Sequence, residues 1–339
     1  MSHPIEILIT LPFDSGLVNK LRGISSRLRI TVHPARNPEE IPAELWSKVE
    51  VLYTNRALPD PNQAPNLGWI QFHLAGIDRL IGAPILRKPD LMITTLSGAA
   101  VPQMAEYLLM ALLALGHHIP DIVDCQRLAE WPRDRWQRFS PKELSTSTVG
   151  IVGYGSVGRS LARILKPFGT TILASKRDAK HPEDNEYMPE GMGDHEGILI
   201  RRLYPWQAVR SMLKECDFVV ISAPLTPETY HLISTEEFVA MKSGSYLIDV
   251  SRGGIVDQEA LLIALNEGKL HGAFLDVFPE EPLPPESPLW QLPNVIITPH
   301  IAGNSPMYDE RAVKLFSDNL HRYLGDLPLF NRFDFDRGY

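Results

Sequence analysis

Three ionisable residues in the second half of the chain, Arg252, Glu281 and His300, each follow an apolar run at the point where it breaks. Arg252 comes after Tyr246-Leu247-Ile248-Asp249-Val250 and just before Gly253-Gly254. Glu281 lies in Pro279-Glu280-Glu281-Pro282, after Phe274-Leu275-Asp276-Val277-Phe278. His300 closes Val295-Ile296-Ile297-Thr298-Pro299. If these runs are parallel strands, all three side chains stand at carboxyl ends, where open α/β sheets bind their ligands. The trio suits hydride transfer to a carbonyl. An arginine holds a carboxylate in bidentate fashion and polarises a neighbouring C=O. A histidine exchanges the alcohol proton, and a carboxylate beside it fixes the ring. Taken singly, the three read as a surface charge, a loop residue and a structural histidine. Their shared position at strand ends, beside a nucleotide loop, favours the catalytic reading.

That nucleotide loop is Thr148-Val149-Gly150-Ile151-Val152-Gly153-Tyr154-Gly155-Ser156-Val157-Gly158. A lone GxGxxG is a weak signal. Here it leaves a strand-like run and opens a helix with Leu161, Ile164, Leu165 and Phe168 at helical spacing. A second strand, Thr171-Ile172-Leu173-Ala174, follows. Gly153 permits the tight turn, Gly155 lets backbone approach a pyrophosphate, and Gly158 lets helix and strand pack closely. The positive end of the helix then faces the phosphates.

The elements that must position these residues form two series. In the first, apolar runs predict strands at Ile5–Thr10, Leu28–His33, Val51–Thr54, Trp69–Leu74 and Met92–Thr95. Runs without polar alternation indicate strands covered on both faces, as in a parallel sheet. The second series opens with a helix over about 99–115. It continues with strands at Val149–Val152, Thr171–Ala174, Phe218–Ser222, Tyr246–Val250, Gly272–Asp276 and Val295–Thr298. Helical patterns between strands predict right-handed crossovers in a doubly wound sheet. A final helix over about 307–324 carries Val313, Phe316, Leu320 and Leu324 on one face. Pattern alone does not assign it, but it can cross back and make the first domain discontinuous. The stretch 119–146 shows no clear periodicity and reads as an excursion, either a surface loop or a subunit contact. The stretch 178–205 reads as a surface insertion. Its Asp194-His195-Glu196 cluster reads as solvated loop, because adjacent residues seldom share an ion.

The 339 residues suffice for about two domains. A net charge of -8 disfavours binding to nucleic acid or an anionic membrane. Cys125 and Cys216 stand too far apart for a disulfide framework or a zinc knuckle, which suits a reducing cytoplasm. No metal is expected. The apolar segment 107–115 is too short to span a bilayer, and the first residues lack a basic leader.

These segments, together with Ala223-Pro224-Leu225-Thr226-Pro227-Glu228-Thr229, closely resemble the D-isomer-specific 2-hydroxyacid dehydrogenases. Leu74-Ala75-Gly76-Ile77-Asp78 looks like that family's substrate loop, and Ala105-Glu106 like the start of its interdomain helix. The resemblance runs in order from about residue 67 to 324. It implies an α/β fold of two Rossmann-like, doubly wound parallel-sheet domains with a cleft between them. A discontinuous substrate domain would span 1–98 plus 304–339, and a dinucleotide domain 99–303. By the match Arg252 would bind the 2-oxo acid, His300 would be the general acid/base and Glu281 its partner. Leu74, Ala75 and Gly76 would meet the substrate carboxylate. The cofactor would be held by Gly153, Tyr154, Gly155, Ser156, Val157 and Gly158, and by Ala223, Pro224, Thr229, Val250, Ser251, Ala302 and Gly303. Asp276 would stand on the nicotinamide carboxamide side. The family also implies a homodimer through the nucleotide domain.

Two departures stand out. The 178–205 insertion exceeds the family's usual connection. NAD-specific members end the second strand with an acid for the ribose 2′-OH, whereas this chain has Lys176 there, flanked by Ser175 and Arg177. A hydroxyl and two cations suit a 2′-phosphate, so NADP is the expected cofactor. The alternative is NAD, with Asp178 taking the acid's role. The expected activity is reduction of a small 2-oxo acid, glyoxylate or hydroxypyruvate among the candidates, to the D-2-hydroxy acid. A dinucleotide-sensing corepressor-like protein and a dehydrogenase of formate or phosphite are the alternatives.

Overall fold

In the computed structural model, which describes residues 3–184 and 186–338, the apolar runs pair into two all-parallel sheets. The chain divides into two units, Met1–Ala100 with Ser305–Tyr339, and Val101–Asn304. The first unit holds β1 (Ile5–Ile9), β2 (Leu28–Val32), β3 (Val51–Thr54), β4 (Trp69–Phe72) and β5 (Met92–Thr94) in the order β2-β1-β3-β4-β5. Every residue of β3 and β4 is buried, as unalternating apolar runs require. Helix α1 (Ser15–Arg22) starts at Asp14, whose carboxylate accepts from the Gly16 amide. A short α2 (Ala43–Trp46) lies before β3.

The second unit begins with α3 (Val101–Gly116) and continues into α4 (Ile119–Arg127) and α5 (Arg135–Arg138). The expectation of an aperiodic excursion over 119–146 is therefore corrected. Pro120 starts α4 where a missing N–H costs nothing, and Ile122 and Cys125, three residues apart, share one face with Cys125 buried. Trp131 and Trp136 stay 83% and 80% exposed. Next come β6 (Thr148–Val152), α6 (Ser156–Leu165), β7 (Thr171–Lys176), β8 (Arg202–Pro205), α7 (Val209–Leu213) and β9 (Phe218–Ile221). The unit ends with α8 (Thr235–Ala240), β10 (Ser245–Asp249), α9 (Gln258–Asn266), β11 (Leu270–Leu275) and β12 (Val295–Ile297). Strand β8 was missed by sequence. It is an edge strand whose burial is mixed, and it pairs with β7 from Leu173 to Lys176. The order β12-β11-β10-β9-β6-β7-β8 reverses direction at β6, which lies between β9 and β7. That reversal is the crevice where doubly wound sheets take nucleotides.

Separate apolar clusters cover the two faces of this sheet, one built around α7, α8 and α9, the other around α3 and α6. The last helix, α10 (Tyr308–Leu324), returns to the first unit. Its Val313, Phe316 and Leu320 join Ile7, Ile9, Tyr53 and Trp69 in one cluster. Phe316 and Leu320 are fully buried, each contributing about 1.5–3 kcal/mol. Among the described residues, no single helix is long and apolar enough to cross a membrane.

Candidate active site

The glycine loop turns as its sequence requires. Gly153 has φ +100°, and a Cβ there would stand 2.4 Å from the Ala223 amide nitrogen. The Gly153 and Tyr154 amides both donate to the Ser175 carbonyl at 2.9 and 3.1 Å, tying the loop to β7. Ser222 Oγ donates to the Gly153 carbonyl from the β9 side at 2.9 Å. A Cβ at Gly158 would lie 2.8 Å from Ile151, so the helix sits hard against its strand. Helix α6 starts at Gly155 without a side-chain cap, and a Cβ on Gly155 would meet nothing within 4 Å. The amides of Ser156, Val157 and Gly158 belong to the first turn, where an α-helix has no carbonyl partner for them, and at that positive helix end these residues fit a pyrophosphate.

Arg252, Glu281 and His300 follow β10, β11 and β12, three neighbouring parallel strands, all at the same sheet edge. His300 Nδ1 lies 3.1 and 3.0 Å from the two Glu281 carboxylate oxygens. The Phe278 amide donates to Glu281 Oε1 at 3.2 Å and fixes the carboxylate in turn. With Nδ1 held, Nε2 is the ring nitrogen left to exchange a proton with a substrate. His300 is 42% exposed at its side chain and Glu281 18%, an accessible imidazole on a more sheltered support. Arg252 Nη1 donates to the Ser251 carbonyl at 2.8 Å, which steadies the guanidinium at its root.

Asp276 is fully buried and both of its oxygens are engaged. Oδ1 accepts from the Ile301 amide at 2.9 Å, from Thr298 Oγ1 at 2.7 Å and from the Tyr107 hydroxyl at 3.4 Å. Oδ2 accepts from the Ala302 amide at 2.9 Å. Its carboxylate therefore holds the segment on either side of His300. Asp249, which sequence reasoning passed over, ends β10, three residues before Arg252, at 3% exposure. Burial pushes its carboxyl up to about 7, against the pull of the Ser251 amide and hydroxyl. An aspartate inside an apolar strand was the available signal.

The other expected cofactor residues divide. Ala223, Thr229, Val250, Ser251 and Ala302 are buried, while Pro224 and Gly303 are half-buried. Thr229 Oγ1 accepts from the Thr226 amide at 2.8 Å and donates to the Pro224 carbonyl at 2.6 Å, so it shapes the turn after β9. Ser175 is fully buried, so the hydroxyl expected to greet a phosphate is enclosed, and its carbonyl holds the glycine loop instead. Lys176 Nζ donates to the His181 carbonyl at 2.8 Å, and burial lowers its basicity. Arg177 forms a bidentate pair with Glu228 at 3.0 and 2.7 Å, linking the segments that follow β7 and β9. Asp178 binds His181 Nδ1 at 2.6 Å and the Lys180 amide at 3.0 Å. Asp194 is not solvated loop: it is 3% exposed and fully hydrogen-bonded, whereas His195 and Glu196 are exposed. Leu74, Ala75 and Gly76 follow β4 in the first unit.

The sequence pattern of the D-isomer specific 2-hydroxyacid dehydrogenase NAD binding domain matches residues 109–302, more than half of the chain. The chain belongs to this family. A glyoxylate reductase of Thermofilum pendens is 35% identical over 268 residues, covering 78% of this chain and 74% of that one. The D-isomer specific 2-hydroxyacid dehydrogenase of Xanthobacter autotrophicus, solved with NADPH and MES, superposes with a TM-score of 0.79 at 26% identity over 100% of both chains. The NADPH-dependent glyoxylate/hydroxypyruvate reductase of Sinorhizobium meliloti, solved with NADP and sulfate, gives 0.77 at 25% identity. It covers 99% of this chain and 100% of that one. As a 2-hydroxyacid dehydrogenase, the enzyme links an NAD(P) cofactor to reduction of a 2-oxo acid. The glycine loop and the start of α6 lie within the matched NAD binding domain.

Proposed function

We propose that this enzyme reduces a 2-oxo acid of glyoxylate or hydroxypyruvate size to the D-2-hydroxy acid, preferring NADPH. The observation that carries the proposal is the His300–Glu281 pair, set by the Asp276 hub at the sheet edge that also bears Arg252. When bound, the nicotinamide supplies the hydride. Arg252 grips the substrate carboxylate and polarises the ketone. His300, steered by Glu281 through Nδ1, delivers the proton to the carbonyl oxygen from Nε2. Asp276 acts on the nicotinamide side through the loop it fastens. Leu74, Ala75 and Gly76 are assigned to the substrate carboxylate on their motif.

The cofactor preference rests on Lys176, which stands where an acid would bind a bare ribose, and on Asp178 being engaged by His181. The two relatives with known structures quoted above, both solved with the phosphorylated dinucleotide, support it. A homodimer through the nucleotide-binding unit belongs to the same reading, supported by the exposed Leu128, Trp131 and Trp136. A reducing, cytoplasmic setting is supported by two buried free cysteines. The test is a panel of 2-oxo acids assayed in parallel with NADH and NADPH, for the enzyme and His300→Ala. Removal of the acid/base should cut kcat by about 10²–10⁴ with cofactor affinity nearly intact. Normal turnover in that variant overturns the mechanism. Equal use of NADH overturns only the preference.

A further inference from the structure

The segment between β7 and β8 is built around two side chains of the dinucleotide cradle. Tyr154, the residue between the first two glycines of the loop, is 1% exposed, and its hydroxyl donates to Asp194 Oδ2 at 2.6 Å. Burial pushes that phenol well up, so it remains a neutral donor. Asp194 also accepts from the Ile198 and Leu199 amides, each at 3.0 Å, which fastens the carboxylate within its own segment. Arg159, one turn into α6, is wholly buried, with its guanidinium 4.6 Å from the Tyr154 ring centroid. Nε donates to Asp184 Oδ2 at 3.1 Å, Nη2 to the Pro182 carbonyl at 2.6 Å, and Nη1 to the Asp194 carbonyl. One turn further, Arg163 Nε donates to the Gly193 carbonyl at 2.6 Å. Lys176, at the end of β7, gives its ammonium to the His181 carbonyl.

A loop that only lengthened a connection would leave Arg159 in water. Enclosing a guanidinium requires partners for its donors, and such burial is no better for stability than an apolar contact of the same size. Its enclosure at the first turns of α6 therefore points to control of geometry. We propose that the 178–200 segment is a strap that positions the dinucleotide cradle. Asp194 is the positioning residue, acting through Tyr154 on the glycine loop and through its carbonyl on Arg159. The strap holds the loop in its binding form before cofactor arrives, so it governs cofactor affinity and leaves the chemical step alone. The inference rests on the dinucleotide site and is independent of the choice between NADP and NAD.

The experiment compares the full-length enzyme with Asp194→Asn and Tyr154→Phe. Cofactor Kd is read by fluorescence titration with NADPH and with NADH, alongside kcat at saturating cofactor, the melting temperature and amide exchange across residues 153–158. In Asp194→Asn the Kd for both cofactors should rise about tenfold, a 1.4 kcal/mol loss. Exchange of the loop should quicken, with kcat at saturation changing less than about twofold, as expected for an interaction made equally in both states. Tyr154→Phe deletes one hydroxyl and keeps the carboxylate's backbone bonds. It should show the same pattern at several-fold even if the asparagine variant fails to fold. A lowered melting temperature with unchanged Kd in the folded protein overturns the proposal, as does a loss confined to kcat.

Discussion

Replacing Asp249 by asparagine should change how stability responds to pH more than it changes stability itself. Asp249 is 3% exposed at the end of β10 and receives the Ser251 amide at 3.0 Å and its hydroxyl at 2.5 Å. Asparagine keeps an oxygen for both donors. Burial is the dominant influence and raises the carboxyl from an ordinary 3.8 to about 7; the Asp276 carboxylate adds to it, and the two Ser251 bonds and His300 oppose it. The sign follows from proton binding. Between pH 3.8 and about 7 the native state holds a proton that the unfolded chain has released. Stability from this group is therefore complete below 3.8 and lost as pH rises to about 7. Going from pH 5 to pH 8, the loss is on the order of 2.6 kcal/mol at 1.36 kcal/mol per unit. For a unit of this size, at about 2–4 °C per kcal/mol, that is roughly 5–10 °C in melting temperature. The assay is a set of thermal melts of the parent and Asp249→Asn at both pH values. The difference of differences cancels every other titrating group. The variant should gain on the parent between pH 5 and pH 8; parallel pH dependence would refute the argument that burial sets this carboxyl.

Two further substitutions probe the loops around the site. Glu228→Gln releases Arg177 from an exposed pair worth about 0.2–1 kcal/mol and removes a charge that repels a 2′-phosphate. NADPH affinity should tighten by about 1.5- to 5-fold with little change for NADH, by the same conversion of free energy to affinity. An unchanged or weaker NADPH Kd would show that Arg177 does not serve the phosphate. Gly253→Ala places a Cβ 1.9 Å from the Phe278 carbonyl oxygen, 2.0 Å from its carbon and 2.4 Å from the Pro279 nitrogen. Backbone cannot rotate aside as a side chain does, so the loop bearing Arg252 must part from the one bearing Glu281. A loss of about 1–3 kcal/mol is expected in denaturant melts, with activity falling further than stability. Wild-type kcat/KM in this variant would show that the two loops need not touch.

Much of this was legible because buried parallel strands are written as unalternating apolar runs. All eleven strands expected from such runs are present, and the three charged residues after β10, β11 and β12 do lie at one sheet edge. Strand β8 escaped because an edge strand, Arg202-Leu203-Tyr204-Pro205, buries only part of itself and carries charge. Helix α4 escaped because only Cys125 is fully buried on its face. The strap escaped for a different reason: Asp194 and Arg159 look like surface charges until the fold brings together residues 35 apart. The polar bonds within the strap follow no period that a sequence window can detect. The two basic residues Lys176 and Arg177, at the end of β7 and just beyond it, were visible, yet not the carbonyls and the carboxylate that engage them.

The hub at Asp276 explains why a site of three exposed or half-exposed side chains can be rigid. His300 has φ +53°, a conformation that costs a residue with a Cβ about 1–3 kcal/mol. It persists only where neighbours over-determine it. Here Asp276 takes the amides of Ile301 and Ala302 just after the histidine and the Thr298 hydroxyl just before it, while Glu281 grips the ring itself. Backbone and imidazole are thus both held from the segment that follows β11, which supplies the two carboxylates. Asp249, one strand over, is pushed up to about 7 chiefly by its burial, with the neighbouring Asp276 adding a smaller push. Two buried acids that need not touch substrate therefore divide the work: Asp276 fastens the backbone on both sides of His300, and Asp249 holds the amide and hydroxyl of Ser251 beside Arg252.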